Sequence, residues 1–356
     1  MKKAIIFDPY LDTLGGGERY TLTFAQVLLK KGWRVDVFWD EPSVVKKAAE
    51  RFGLETEGVN ILPKSKLFQK NLLKRFFFQR KYDLLFWVSD GSVPLMFTKK
   101  NLLHFQVPFH NLKHSLGEKL RLALVDEVIC NSFFTKRVID REYGVKGRVL
   151  YPPVSVQDFS PGRKKNIILA VGRFEETMQA KRQDVLVTVF KEMVDEGLKN
   201  WRLVLAGASL SEEADNLFLE KLKKSAAGYP VDFRVNVSFN QLKSCYSQAK
   251  IFWHAAGFGV DEEKHPEKVE HFGMTTIEAM AAGCWPLVYS AGGQKEIFAK
   301  FPQKDLVLWK TKKELSKKTV KAIKLLKERK LQYNELVRWS CKFSVDSFSQ
   351  NVWKII

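Results

Sequence analysis

Glu270-His271-Phe272-Gly273-Met274-Thr275-Thr276-Ile277-Glu278-Ala279-Met280-Ala281-Ala282-Gly283 is the stretch on which the reading of this chain turns. Its second half is a run of good helix formers closed by a glycine, the residue that best tolerates the turn beyond a helix end. Its first half holds Gly273, with Thr275 and Thr276 available as caps, so the spacing predicts a helix that starts near Met274. The unpaired N–H groups of that first turn, and the positive end of the helix dipole, then face the loop carrying Glu270. Such a terminus seats a phosphate or the hydroxyls of a sugar. Glu270 in the loop and Glu278 one turn inside the helix bracket that seat, and each can accept from hydroxyls of a different part of one ligand.

Upstream, short apolar runs alternate with helical patterns. Ala4-Ile5-Ile6-Phe7, Arg34-Val35-Asp36-Val37-Phe38, Leu84-Leu85-Phe86-Trp87-Val88, Leu102-Leu103-His104-Phe105, Val128-Ile129-Cys130 and Val149-Leu150-Tyr151 read as strands. A helix from Glu18 puts Tyr20, Phe24, Val27 and Leu28 on one face and stops at Gly32. Pro152-Pro153 and Pro161-Gly162 are turn signals. A second series follows: strands at residues 167–171, 203–206, 233–235, 251–253, 287–289 and 306–308, a basic helix over 313–332 and a last helix from Ser344 to Ile356. The expected fold class is α/β, two doubly wound Rossmann-like domains of parallel sheet covered on both faces. The expected domains are 1–160 and 161–342, with 343–356 as a separate terminal helix. Two such sheets facing each other would place ligands in a cleft beyond their carboxyl strand ends.

At 356 residues and 45% hydrophobic content the chain can bury two ordinary cores. Its four cysteines, Cys130, Cys245, Cys284 and Cys341, form no Cys-x-x-Cys pair, which argues against a disulfide framework or zinc ribbon and suits a cytoplasmic setting. The short apolar run between Lys3 and Asp8 is too brief for a signal peptide, and no stretch is long enough for a membrane span. A net charge of +19, spread over both halves, points to anionic partners: phosphate-rich ligands, nucleic acid or an acidic membrane surface.

Several clusters could carry chemistry. Gly172-Arg173-Phe174 follows the first strand of the second series, and Lys181-Arg182-Gln183-Asp184 opens the next helix. Two cations there can neutralise a diphosphate without a metal. Gly15-Gly16-Gly17-Glu18-Arg19 lets backbone N–H groups approach an anion closely, but it is not a dinucleotide fingerprint. His110 and His114 have zinc-compatible spacing without a carboxylate–histidine continuation, so no metal is expected. His254 and Asp261-Glu262-Glu263 precede the central motif, and Gly292-Gly293-Gln294-Lys295-Glu296 follows it. Residues 64–81 carry Lys64, Lys66, Lys70, Lys74, Arg75, Arg80 and Lys81 interleaved with Leu67, Phe68, Leu72, Leu73, Phe76, Phe77 and Phe78. That segment is either a basic helix for an anionic membrane surface or a helix whose aromatic side packs on the sheet.

The two glutamates with seven residues between them, and Phe-Gly shortly after the first, resemble the signature of retaining glycosyltransferases of GT-B fold, the glycosyl transferases group 1. The Glu-His-Phe-Gly form is most similar to mannosyltransferases that use GDP-mannose. The glycine loop, His104, Asn131-Ser132 with Thr135, Pro152-Pro153-Val154 and Gly-Arg-Phe follow in the family's order. The resemblance implies that Arg173 and Lys181 hold the leaving diphosphate, although a long gap between them leaves Arg182 as the alternative to Lys181. It also implies that Glu278 holds the ribose, and that Glu270 and His104 line the donor sugar. An interior, hydrogen-bonded histidine is the other reading of His104. Gly16 and Gly17 would lie beneath the diphosphate, and backbone N–H groups of Phe272, Gly273, Met274 and Thr275 would assist. The implied reaction is front-face substitution with no metal and no covalent nucleophile. It moves a hexose from a nucleotide sugar, GDP-mannose favoured, to a glycan or lipid-linked acceptor, with residues 64–81 on the inner face of a membrane. The other classes left open are a nucleotide-sugar epimerase or hydrolase of the same fold and, with no recognised module to support it, a basic nucleic-acid-binding protein.

Overall fold

The computed structural model describes all residues except 14, 114, 177–179 and 210–212, together with the side chains of 213–216. The chain divides into two compact units, Met1–Pro153 with Val345–Ile356, and Val154–Ser344. The division falls at Pro153, a few residues before the turn at Pro161-Gly162.

Unit 1 is built on a seven-stranded sheet in the order β3-β2-β1-β4-β5-β6-β7. Its strands are β1 (Lys3–Phe7), β2 (Arg34–Phe38), β3 (Val59–Leu62), β4 (Leu84–Val88), β5 (Lys100–Phe105), β6 (Glu127–Cys130) and β7 (Arg148–Val149). Every pairing is parallel. Helices therefore cover both faces, and the strands read as continuous apolar runs because neither side meets water. Successive side chains divide between two cores. Ile6, Phe86, Val88 and Leu102 join one, while Ile5, Leu85, Trp87 and Leu103 join the other. The helix Gly16–Leu29 fills the first core with Tyr20, Phe24 and Leu28, and the helix Val345–Val352 joins the same core through Phe348 and Val352. Phe348 stands edge-on to Tyr20 at 5.0 Å.

Unit 2 repeats the plan with six parallel strands in the order β10-β9-β8-β11-β12-β13. These are β8 (Lys165–Val171), β9 (Arg202–Gly207), β10 (Val231–Val235), β11 (Ala249–His254), β12 (Trp285–Tyr289) and β13 (Leu308–Trp309). The strand order reverses between β8 and β11, which pair directly. In such sheets ligands bind outside the carboxyl ends at this reversal.

Local expectations fail where the tertiary fold overrides pattern. Strand β3 has no clean apolar run, and all four of its residues are only partly buried, as befits an edge. Leu306 and Val307 belong to a short helix, Lys304–Val307, and only Leu308 enters a strand. The basic helix of 313–332 is Lys312–Lys327, followed by a separate helix Tyr333–Ser340. The basic stretch 64–81 is two helices, Lys64–Leu67 and Leu72–Gln79, because Asn71 caps the second by accepting from the N–H groups of Leu73 and Lys74.

Phe348 is 3% exposed and anchors the carboxyl-terminal helix in the core of unit 1. Phe348→Ala should lower stability by about 3–5 kcal/mol, read from urea-induced unfolding followed by tryptophan fluorescence.

Candidate functional site

In unit 2 the residues singled out by sequence gather at the strand-order reversal. The loop after β8 starts with Gly172, and the loop after β11 runs on to Glu270. Lys181 reaches over from the β8 side and places its Nζ 2.9 Å from Glu270 Oε2. His254, the last residue of β11, places Nε2 3.1 Å from the same oxygen. Lys181 needs the glycine beneath it: a Cβ on Gly172 would come within 2.5 Å of the Lys181 Cγ. Gly207 at the end of β9 is needed in turn, since a Cβ there would lie 1.9 Å from the Gly172 carbonyl oxygen. Burial pushes the Glu270 carboxyl up, but the Lys181 ammonium and the His254 hydrogen bond outweigh it and hold the group well below the usual carboxylate range. The residue that meets Glu270 is thus Lys181. Arg182 pairs instead with Asp184 at 3.0 Å and donates to the Phe258 carbonyl at 2.5 Å.

The helix beginning beside Glu270 is Met274–Ala281. Neither threonine caps it. Gly273 is the N-cap, left-handed at φ 113°, and Thr276 instead accepts from Gln294 Nε2 at 2.9 Å. A side chain at Gly273 would collide with Gln294, 2.5 Å from where its Cβ would stand. The Gly292-Gly293 pair forms the floor of the Glu270 loop, because Cβ atoms there would lie 2.1 Å and 2.2 Å from the carbonyl oxygens of Glu270 and His271. The Gly293 N–H donates to the Glu270 carbonyl at 2.8 Å. Phe272 is buried against Phe343, with ring centroids 5.4 Å apart, while Met274 and Thr275 are partly exposed. The Thr276 N–H donates to the Gly273 carbonyl at 3.1 Å, and the N–H groups of Met274 and Thr275 precede the first intrahelical bond.

Glu278 is 7% exposed, and its Oε2 accepts from the Tyr246 hydroxyl at 3.0 Å. Tyr246 lies at the end of the helix Phe239–Gln248, and nothing in its sequence context marks it as a partner. Arg173 is half-exposed in the loop after β8, with its guanidinium 3.1 Å from Glu175. Glu262, from the acidic insertion, accepts from the Gly292 N–H at 2.7 Å and pairs with Lys295, strapping the insertion to the glycine floor.

In unit 1, Gly16 and Gly17 form the first turn of the helix Gly16–Leu29. The Gly15 N–H donates to Glu18 at 2.5 Å. A Cβ on Gly17 would strike Gln106, which donates to the Gly17 carbonyl at 3.2 Å. Asp8, at the end of β1, is a residue the sequence did not single out. It is 1% exposed and accepts from the Thr21 hydroxyl at 2.6 Å; burial, with Glu18 nearby, pushes its carboxyl up to about 7. Ser132 caps the helix Phe133–Tyr143 by accepting from the Thr135 N–H, which accounts for that motif structurally.

His104 is the penultimate residue of β5, fully buried, with its ring stacked on Tyr20 at 4.3 Å and on Phe86 at 5.2 Å and its Nδ1 3.2 Å from the Ile129 carbonyl. Burial lowers its pKa to about 3, and its Nε2 has no hydrogen-bond partner among the described residues. His114 lies outside the described residues, so the His110–His114 pair is not placed.

A family model described as Glycosyl transferases group 1 matches residues 155–336, and one described as Glycosyltransferase Family 4 matches residues 14–158. Over 182 residues the chain is 31% identical to a GDP-Man:Man(3)GlcNAc(2)-PP-Dol alpha-1,2-mannosyltransferase of Xenopus tropicalis, covering 48% of this chain and 35% of that relative. The chain thus spans about a third of the length of that relative. Among solved structures, sucrose-phosphate synthase from Thermosynechococcus elongatus overlays with a TM-score of 0.70 at 16% identity, covering 100% of this chain and 98% of the other. Anabaena HepE in complex with UDP-glucose gives 0.64 at 13%, covering 100% and 99%. These overlays show the GT-B fold.

Lys181 and Glu270 are both mostly buried, with side-chain exposures of 18% and 14%. Lys181→Met should cost roughly 2–4 kcal/mol by leaving the carboxylate without its ion partner. Because the folded pKa of Glu270 is depressed, the stabilisation is full above the unfolded value of 4.5 and is lost as pH falls through the folded value. Melting temperatures should therefore differ most between wild type and variant above about pH 5 and converge on acidification.

Proposed function

The chain belongs to the glycosyl transferases group 1 family, and from that membership we propose that it moves a hexose from a nucleotide sugar to a glycan or lipid-linked acceptor. GDP-mannose is the favoured donor, and the reaction proceeds with retention and without a metal. The observation that carries this reading is the meeting of Lys181 and Glu270 at the start of the helix Met274–Ala281, where the strand order of unit 2 reverses. The donor assignment leans on the relative named for GDP-Man, and the Glu-His-Phe-Gly sequence is in keeping with it.

In this reading the diphosphate lies against the open helix terminus, with Arg173 and Lys181 supplying the positive charge that a leaving diphosphate requires. One Lys181 N–H serves Glu270, and the ammonium keeps two more donors for phosphate oxygens. Glu278 holds the ribose hydroxyls, and Glu270, kept ionised, accepts from hydroxyls of the sugar. The bond between the anomeric carbon and the phosphate oxygen breaks while the acceptor oxygen bonds to the same face of the sugar. The acceptor proton passes to the departing phosphate. Unit 1 takes the acceptor.

A lipid-linked acceptor calls for a route to the membrane. No helix among the described residues is long and apolar enough to cross one. Unit 1 exposes Leu72, Leu73, Phe76 and Phe77 beside Lys70 and Lys74, so only part of the aromatic segment packs on the sheet. Leu112, Leu116, Leu120 and Leu124, four residues apart, are exposed as well. Arg75 and Arg121 bind the carbonyls of Leu95 and Val93 and so tie both segments to one connecting loop. Apolar side chains set among lysines suit peripheral docking on an anionic leaflet.

Two measurements test the proposal. In metal-free buffer, GDP and GDP-mannose should raise the melting temperature by several degrees at about 100 times Kd, and UDP and ADP should not. Glu278→Gln, which still accepts from Tyr246, should reduce the GDP shift; no shift with any nucleotide overturns the donor site. Consumption of GDP-mannose with no new glycosidic bond would favour an epimerase or hydrolase. In flotation, the protein should rise with liposomes containing anionic lipid, and Leu73→Glu with Phe77→Glu should abolish this.

A further inference from the structure

His254, like His104, is buried with one hydrogen bond and one unpartnered ring nitrogen among the described residues, but its bond goes to a carboxylate and not to a backbone carbonyl. Its side chain is 2% exposed, yet its one hydrogen bond goes to Glu270. Its other ring nitrogen, Nδ1, is buried with no partner among the described residues. Among the described residues the bond to Glu270 is the only hydrogen bond of the imidazole at the end of β11.

The geometry at Glu270 is one-sided. Lys181 and His254 both donate to Oε2, and Oε1 has no hydrogen-bond partner among the described residues. The two donors differ in freedom. Lys181 ends a flexible four-carbon stem and can turn toward an incoming phosphate. His254 is fixed on the last residue of a central strand, with its ring 6.4 Å from Phe252.

We infer that His254 is a positioning residue: it pins Oε2 of Glu270 so that Oε1 is presented to a hydroxyl of the donor sugar, and it keeps that orientation when Lys181 turns to the diphosphate. The inference rests on the donor-site reading proposed above. It assigns His254 to the sugar half of the donor and not to the nucleotide half.

That division sets the experiment. Affinities for GDP and for GDP-mannose are measured by titration calorimetry on wild type, His254→Leu, His254→Asn and His254→Gln, with transfer kinetics on each. His254→Leu should leave GDP affinity within about twofold, which also shows that the variant is folded. It should weaken GDP-mannose binding or kcat/KM by about tenfold or more, the size of a lost hydrogen bond to a charged group. His254→Gln, whose amide N–H reaches the Nε2 position, should recover most of the loss. His254→Asn, whose amide stops at the Nδ1 position, should not. Unchanged GDP-mannose affinity and turnover in His254→Leu overturn the inference, as does a Gln variant no better than Asn. Should His254→Leu fail to fold, the comparison of Gln with Asn decides alone. Wild-type protein that binds neither GDP nor GDP-mannose refutes the donor-site reading itself, and the inference with it.

Discussion

A carboxylate that stays ionised in a largely enclosed loop has to be met there by positive charge and a hydrogen bond, and Glu270 is met by Lys181 and His254. Much of unit 2 follows from that requirement. Lys181 arrives only because Gly172 leaves room for its stem, and Gly172 sits where it does only because Gly207 lets two backbones come close. The Glu270 loop lies on Gly292 and Gly293, neither of which could carry a side chain without striking that loop. These glycines are positions of close approach, and any larger residue would move the carboxylate.

The meeting point is also the one place the topology leaves open. β8 and β11 are neighbours, and their connections leave in opposite directions. The loops after them diverge and leave the start of the helix Met274–Ala281 facing outward. Lys181, His254 and Glu270 are brought together there by the same architecture that buries the sheet. Unit 1 has the same plan, and its glycine turn follows β1 at the corresponding reversal between β1 and β4. There the buried carboxyl is Asp8, met by a hydroxyl and a backbone N–H with no cation among its hydrogen bonds, and its pKa moves in the opposite direction from that of Glu270. Two buried carboxyls with different partners thus show opposite electrostatics.

The contrast between His104 and His254 shows how far pattern carries. Both stand near the end of an apolar run, and by composition alone His104 looked the better ligand. The alternation along β5 sends Leu102 to one core and Leu103 to the other, and His104 follows Leu102 into the core that holds Tyr20 and Phe86. That parity was present in the sequence. What the pattern does not show is how deeply β5 lies in that core, where His104 is fully buried. The basic segment 64–81 failed similarly: one helix by composition, it is two because Asn71 caps a fresh start.

The sequence by itself determined the class of fold and the chemistry on offer. Apolar runs separated by helical patterns demand a parallel sheet covered on both faces, and the Glu270–Gly283 pattern demands a glycine-started helix with carboxylates at its mouth. Such features are local, written in neighbours a few residues apart. Tertiary structure alone decided which atoms meet: Lys181 rather than Arg182 at Glu270, His254 rather than His104 beside a carboxylate, Tyr246 on Glu278. Lys181 and Glu270 are 89 residues apart, and the register of β8 against β11 brings them together. Periodicity reports which way a side chain faces within its own element, and it is blind to the partner that another strand delivers.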